Sequence, residues 1–244
     1  MAAASYPAVR AALEAQWTRL IEAFAATDPD QPSRIVGWSV ADLERHVSQT
    51  GESLGRLAAE PPAKGALTGL GSWTQALAGL REQTADDVRN EPAPALAIVA
   101  PVALSALDAA DPDKPIRQRT GVHRLADAAL FRLIEGVVHG LDLPDPLLPD
   151  RSARRIVVRA LAGLLASLAP GRSVELRIPP DAAIQLIEGP RHTRGTPSGV
   201  VETDPASFLR LATGRMTWSG GVEHGLVRAS GKRTDLSEYL PLLA

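Results

Sequence analysis

Glu135-Gly136-Val137-Val138-His139-Gly140-Leu141-Asp142-Leu143 is the stretch on which the reading of this chain turns. Glu135 and His139 are four residues apart, so on a helix both project from one face, one turn apart. The helix predicted around them, about Arg124 to Leu141, is apolar on most sides. Its inner stripe, through Ala128, Phe131, Glu135, Val138, His139 and Asp142, nevertheless carries three polar groups. Ionisable groups on an inner face are costly unless they are paired or coordinated. A second stretch, Trp38-Ser39-Val40-Ala41-Asp42-Leu43-Glu44-Arg45-His46-Val47, supplies another inward imidazole, His46, at the edge of the stripe Val40, Leu43, Val47. Two His and one carboxylate make a three-ligand set for zinc with a fourth position open.

Outward from these stretches, residues 8 to 143 read as helices. Leu13, Trp17, Leu20, Ile21 and Phe24 are spaced as on a helix over about Ala8 to Ala26. Ser39 and Asp42 have the spacing of a capping-box variant at the start of the helix bearing His46, which Pro61-Pro62 stops. A further helix is expected over about Ser72 to Val88. Another is expected from Pro94 to Ala110, buried nearly all round and bent at Pro101. The pattern is a helix bundle with a polar core site.

Three prolines between Pro144 and Pro149 mark a stiff linker, which divides the chain into domains at 1–145 and 150–244. Beyond it a helix is expected over Ser152 to Leu168. Val174–Ile178 alternates as a strand, with Ala183–Ile187 as partner across Pro179-Pro180-Asp181. Thr203-Asp204-Pro205 caps a short helix ending at Gly214, Gly225–Ala229 reads as a strand and Leu236–Leu243 as a final helix. The second half is therefore small and α+β.

Composition narrows the function. The 244 residues carry a net charge of −2 and only 4% aromatic residues, which gives neither the charge nor the stacking platforms for nucleic acid. The absence of cysteine excludes disulfides, a thiolate nucleophile and a Cys-ligated metal. The longest apolar run is too short to span a bilayer, and the N-terminus has no signal-peptide pattern, so a cytoplasmic protein is expected.

The motifs Trp38-x4-Leu43-x2-His46 and Glu135-x3-His139-x2-Asp142-Leu143, with the Gly214-Arg215 step after a short helix, resemble the mycothiol-dependent maleylpyruvate isomerase family, within the DinB-like metal-binding bundles. The loop from Ile187 to Pro197 looks closer to a subgroup of sterol carrier family proteins. The resemblance implies a two-domain α+β chain, with an N-terminal DinB-like four-helix bundle and a small C-terminal sterol-carrier-like domain. It implies metal ligands at His46, Glu135 and His139, zinc or another divalent ion as cofactor, and mycothiol as co-substrate. Arg215 maps onto a position that helps bind a carboxylate. Such a protein acts, as a monomer, on small electrophiles by thiolate addition.

Alternatives remain at this stage. The residues alone favour reading the three ligands as a buried hydrogen-bonded network holding two helices in register, and the resemblance favours a metal. Asp142 either orients a ligand imidazole or simply ends its helix. Arg191 and Arg194, with His192, form a cationic loop that either grips the acids of a thiol conjugate or is a solvated turn. Arg132 is placed to pair with Glu135 where no metal is bound. A non-catalytic lipid carrier with a structural metal is the competing function; it predicts an apolar tunnel in the second domain.

Overall fold

The computed structural model describes residues 4–189 and 198–243. The chain divides into two compact units, Ala4–Ala153 and the segment from Arg154 onward.

The first unit is built on four long helices, α1 (Tyr6–Ala26), α2 (Val40–Ala59), α5 (Leu96–Ala109) and α6 (Leu125–Leu141), with two short ones, α3 (Leu70–Ala78) and α4 (Arg81–Asn90), between α2 and α5. A two-stranded antiparallel hairpin, β1 (Pro115–Gln118) and β2 (Gly121–Arg124), leads into α6. The capping box at α2 is complete: Ser39 Oγ accepts from the Asp42 N–H, and the Asp42 carboxylate accepts from the Ser39 N–H. That reciprocal pair sets the start of α2, contributes about 1 kcal/mol, and so fixes the phase in which His46 faces inward. On α6, Gly136 lies against Gln16 and Leu20 of α1, where a β-carbon would come within 3.2 Å of Gln16 Cγ. The buried Gln16 amide donates to the Gly136 carbonyl at 3.0 Å. Close approach on the glycine side leaves the neighbouring Glu135–His139 side to face α2. Trp73 of α3 stacks on Phe131 of α6 at 4.6 Å between ring centroids, covering the middle of that helix.

Three expectations for this unit are corrected. The helix expected over Ser72–Val88 is two, because Gly79-Leu80 interrupts it: Gly79 closes α3, and the Leu80 backbone departs from helical dihedrals to start α4. The α5 helix is not buried all round; Ile98 and Val102 are 62% and 68% exposed on its outer side. The hairpin was not anticipated. Its Arg119-Thr120 turn and positive-φ Gly121 reverse the chain within two short strands, which hold buried Ile116 and Val122 in the core.

The stretch after α6 is tied down rather than free. The Arg34 N–H donates to the Asp142 carbonyl at 2.7 Å, and the Arg34 guanidinium to the carbonyls of Leu143 and Pro144. Arg19 reaches the Leu148 carbonyl.

The second unit consists of α7 (Arg151–Leu168), β3 (Val174–Ile178), β4 (Ala182–Leu186), β5 (Gly199–Thr203), α8 (Pro205–Ala212), α9 (Trp218–Glu223) and β6 (Val227–Gly231). Its sheet has strand order β4-β3-β5-β6, with β3 and β5 parallel and the other pairs antiparallel. Strict alternation along β3 and β5 buries Val174, Leu176, Ile178 and Val201 on one face. Asp204 caps α8 through the N–H groups of Ala206 and Ser207, ahead of Pro205 in the first turn. Arg154 pairs at 2.7 Å with the buried Asp181 carboxylate, and Arg159 donates to the Asp181 carbonyl. β5 and α9 were not anticipated. The expected final helix over Leu236–Leu243 is a single 3-10 turn, Ser237–Tyr239, because Pro241 has no N–H to continue it and disfavours helix at Leu240.

Candidate functional site

Helices α2 and α6 bring His46 and His139 together edge to face, with ring centroids 4.9 Å apart. Trp38, just ahead of α2, packs edge-on against His46 at 5.5 Å. The His139 Nδ1 lies 3.1 Å from Asp142 Oδ2. Of the two neutral tautomers, the one with the proton on Nδ1 donates to this buried carboxylate, and in that tautomer Nε2 carries the lone pair. Asp142 is held in turn by the turn closing α6, where its own N–H donates to the His139 carbonyl and its carbonyl accepts from Arg34.

Glu135, one turn before His139, is engaged differently. Its Oε2 is 2.7 Å from Arg132 Nη1, the pairing anticipated from the sequence. The contact is an ion pair whose alignment falls short of a hydrogen bond, so Glu135 Oε2 is buried without a hydrogen-bond partner. Arg132 is only 7% exposed, and its Nε also lacks a partner. A buried pair satisfied by charge and not by hydrogen bonds is a high-energy arrangement.

Both residues line a pocket of about 380 Å³ in the N-terminal unit, together with His46. His139 is not on its wall. The rest of the wall includes three further arginines: Arg56 of α2, Arg117 of β1, and Arg119 at the hairpin turn. Arg119 is held at 2.6 Å by Asp87 of α4. These arginines escaped the sequence reading. The signal available was Ile116-Arg117-Gln118 ahead of Arg119-Thr120-Gly121: strand alternation sends Arg117 to the side opposite Ile116, and Arg119 stands at the turn.

The site's electrostatics follow from its packing. Burial pushes the His46 imidazole well below its ordinary pKa, and the nearby His139, Arg132 and Arg119 push the same way against Asp142. His46 is therefore neutral at pH 7. In the metal-free protein the unfolded chain takes up a proton near pH 6.5 that folded His46 refuses. Stability is thus full above pH 6.5 and declines as the pH falls below it, with a slope of at most about 1.4 kcal/mol per pH unit for one proton. Urea unfolding at a series of pH values is expected to show a shallower acid-side loss for His46→Gln than for the parent; equal slopes would contradict it.

The donor types suit a divalent metal: one neutral imidazole, one imidazole with Nε2 bare, and a carboxylate oxygen with no hydrogen bond. The arrangement does not yet converge. Glu135 faces Arg132, and among the described residues no three His, Asp or Glu side chains are disposed to hold a metal ion. Glu135 has to leave Arg132 to join the histidines.

Of the other anticipated binding residues, Arg215 belongs to the C-terminal unit, where its guanidinium donates to the Thr213 carbonyl. Arg191, His192 and Arg194 lie outside the described residues. His123 is fully buried, with ring nitrogens within 3.0 Å of Thr68 and Thr120, and serves the packing of the hairpin. Among the described residues no helix is long and apolar enough to cross a membrane.

Comparison with known proteins agrees with this architecture. No curated protein matches the chain in sequence. A crystal structure of the mycothiol-dependent maleylpyruvate isomerase in a mutant form superposes with a TM-score of 0.61 at 15% identity, covering 94% of this chain and 96% of that one. A second crystal structure of that isomerase gives 0.57 at the same identity and coverage. At such identity the likeness shows a shared fold. Residues 150–242 match the family model described as a bacterial SCP ortholog. Residues 6–144, more than half of the chain, match the mycothiol maleylpyruvate isomerase N-terminal domain, and the protein belongs to that family.

Proposed function

We propose that this protein is a mycothiol-dependent isomerase or transferase of small electrophiles, with its reaction centre at His46, Glu135 and His139. The observation carrying the reading is the paired imidazoles of α2 and α6 beside Glu135 and a pocket walled by arginines. Cysteine is absent from the chain, so a thiol nucleophile has to be brought in as a co-substrate.

His46, Glu135 and His139 would hold a divalent metal, for which zinc is our assignment from the N/O donor set. When bound, such an ion supplies a cationic centre at which a thiol with a pKa of about 8.5 is present as thiolate at neutral pH. The protein's own groups do the rest. Asp142 holds an Nδ1 proton of His139, so that Nε2 is the nitrogen left to serve as a donor atom. Low basicity of His46 keeps its ring unprotonated. Arginines at the wall receive the carboxylates of an acidic substrate as charge-assisted pairs.

For a cis-enoyl diacid, the thiolate sulfur adds to one alkene carbon and the π electron pair moves onto the conjugated carbonyl oxygen. The former double bond, now single, rotates. The electron pair then returns, the carbon–sulfur bond breaks, and the trans isomer and thiolate are released with no net consumption of thiol.

The lipid-carrier reading has less support. A pocket of about 540 Å³ in the C-terminal unit has a mixed wall, with Glu188, Arg233, Asp235 and Glu238 set among Leu168, Ala169, Pro170, Ile187 and Tyr239, whereas an acyl or sterol ligand calls for a predominantly apolar one.

Metal content tests the proposal. Elemental mass spectrometry on tag-free protein is expected to find about one equivalent of zinc per chain after reconstitution, and none in His46→Ala/His139→Ala. A parent that takes up no metal would overturn it.

A further inference from the structure

We infer that Arg132 couples anion binding to metal binding at this site: a substrate carboxylate takes over Arg132 and releases Glu135 to the metal. The inference rests on the metal reading above and adds to it a linkage between two ligands.

The coupling follows from charge balance. Arg132 is buried, and among the described residues Glu135 is the one carboxylate paired with it. If Glu135 turns to a cation, the guanidinium is left buried and uncompensated, which costs several kcal/mol in a low-dielectric site. Metal binding without a replacement anion is therefore opposed by Arg132. A carboxylate entering the pocket removes that opposition, because it gives Arg132 a new counter-ion and its unpartnered Nε a potential acceptor. The converse holds as well. Once Glu135 is committed to a cation, Arg132 becomes an uncompensated cation on the pocket wall, beside Arg117, while Arg119 and Arg56 keep their partners Asp87 and Glu60, and the pocket's attraction for anions rises.

Each ligand makes room for the other through one side chain, so the coupling has to be reciprocal. The pair also lacks hydrogen-bond alignment across its 2.7 Å contact, so parting it breaks no well-made bond. An arrangement of this kind holds the metal most firmly when an acidic substrate is present, which assembles the reaction centre in response to the substrate class it acts on.

Calorimetric titration of zinc into the full-length metal-free protein, with and without saturating succinate, tests this directly. Succinate is expected to tighten zinc binding by about tenfold, within the usual range of site-to-site coupling. Zinc is expected to tighten succinate binding by the same factor. Direct chelation of zinc by succinate weakens apparent binding, so it works against the expected result. Neutral succinamide, which has no charge for Arg132, is expected to leave zinc affinity unchanged. In Arg132→Gln, zinc alone is expected to bind more tightly than in the parent, with no response to succinate.

Zinc affinity indifferent to succinate would overturn the inference. An equal effect of succinamide would do so too, and that control needs no variant to fold. A parent protein that takes up no zinc in either condition would overturn the metal reading beneath it, whereas zinc uptake without coupling would overturn this inference alone.

Discussion

His46→Ala/His139→Ala protein is expected to fold and to lose thiol-dependent turnover by about 1,000-fold, the scale on which a primary electrostatic stabiliser of a transition state acts. The two rings are brought together by helices whose cores lie elsewhere: Leu43, Val47 and Leu54 on α2, and Ile134, Val137 and Leu141 on α6, are all buried. Truncation sacrifices the edge contacts of His46 with Trp38 and His139, a loss of about 1–3 kcal/mol that a bundle of this size tolerates. Asp142→Asn separates chemistry from packing. The amide has the same shape, but it presents a donor as readily as an acceptor to His139 Nδ1, and activity is expected to fall about 10–100-fold. Initial rates at saturating mycothiol, set beside thermal melts of the same preparations, read both effects. Retention of turnover within a few-fold by a folded double variant would remove the histidines from the reaction.

Gly171→Ala is expected to destabilise the C-terminal unit by about 3–5 kcal/mol. Gly171 joins α7 to β3 with φ of +151°, and a β-carbon built there lies 1.9 Å from the Ile187 carbonyl oxygen and 2.4 Å from the Glu188 nitrogen. Both obstacles are backbone, and that backbone is pinned. The Ile187 N–H donates to the Ala169 carbonyl at 2.9 Å, and its carbonyl accepts from Ser173 at 3.1 Å. No rotamer relieves the clash, so β3 and β4 have to separate or the α7–β3 connection has to be rebuilt. Gly163→Ala is the matched control in the same unit. It lies on α7 with nothing within 4 Å of its β-carbon, and alanine there is expected to stabilise by about 0.5–1 kcal/mol. Hydrogen exchange of the β3 and β5 amides is expected to report loss of protection in Gly171→Ala and none in Gly163→Ala; equal protection in both would contradict the argument.

What the chain discloses before folding depends on how local the determinant is. The capping box of Ser39 and Asp42, the phase of α2, and the one-turn spacing of Glu135 and His139 are all set within a few residues, and they are legible in the sequence. The resemblance in those motifs to the mycothiol-dependent maleylpyruvate isomerase family agrees with the family match of residues 6–144. The hairpin is less legible, because four-residue strands carry at most two inward positions, here Ile116 and Val122 with His123 beside it.

The arginine wall illustrates the harder case. Arg56, Arg117, Arg119 and Arg132 come from three elements and a turn, and each reads as an ordinary surface charge until the chain folds. Arg132 is the exception, since its i,i+3 spacing to Glu135 predicts their pairing. The apolar face of Ile98 and Val102 misleads in the opposite direction: hydropathy alone reads it as core, and it is exposed.

The central claim is tested most directly by incubating the zinc-reconstituted protein with a cis-enoyl diacid such as maleylpyruvate, with and without mycothiol, and following the vinyl protons by NMR. The account predicts cis-to-trans conversion that requires both protein and thiol, with the thiol recovered unchanged. Conversion at the same rate without thiol, or none in the metal-loaded protein with thiol present, would contradict it.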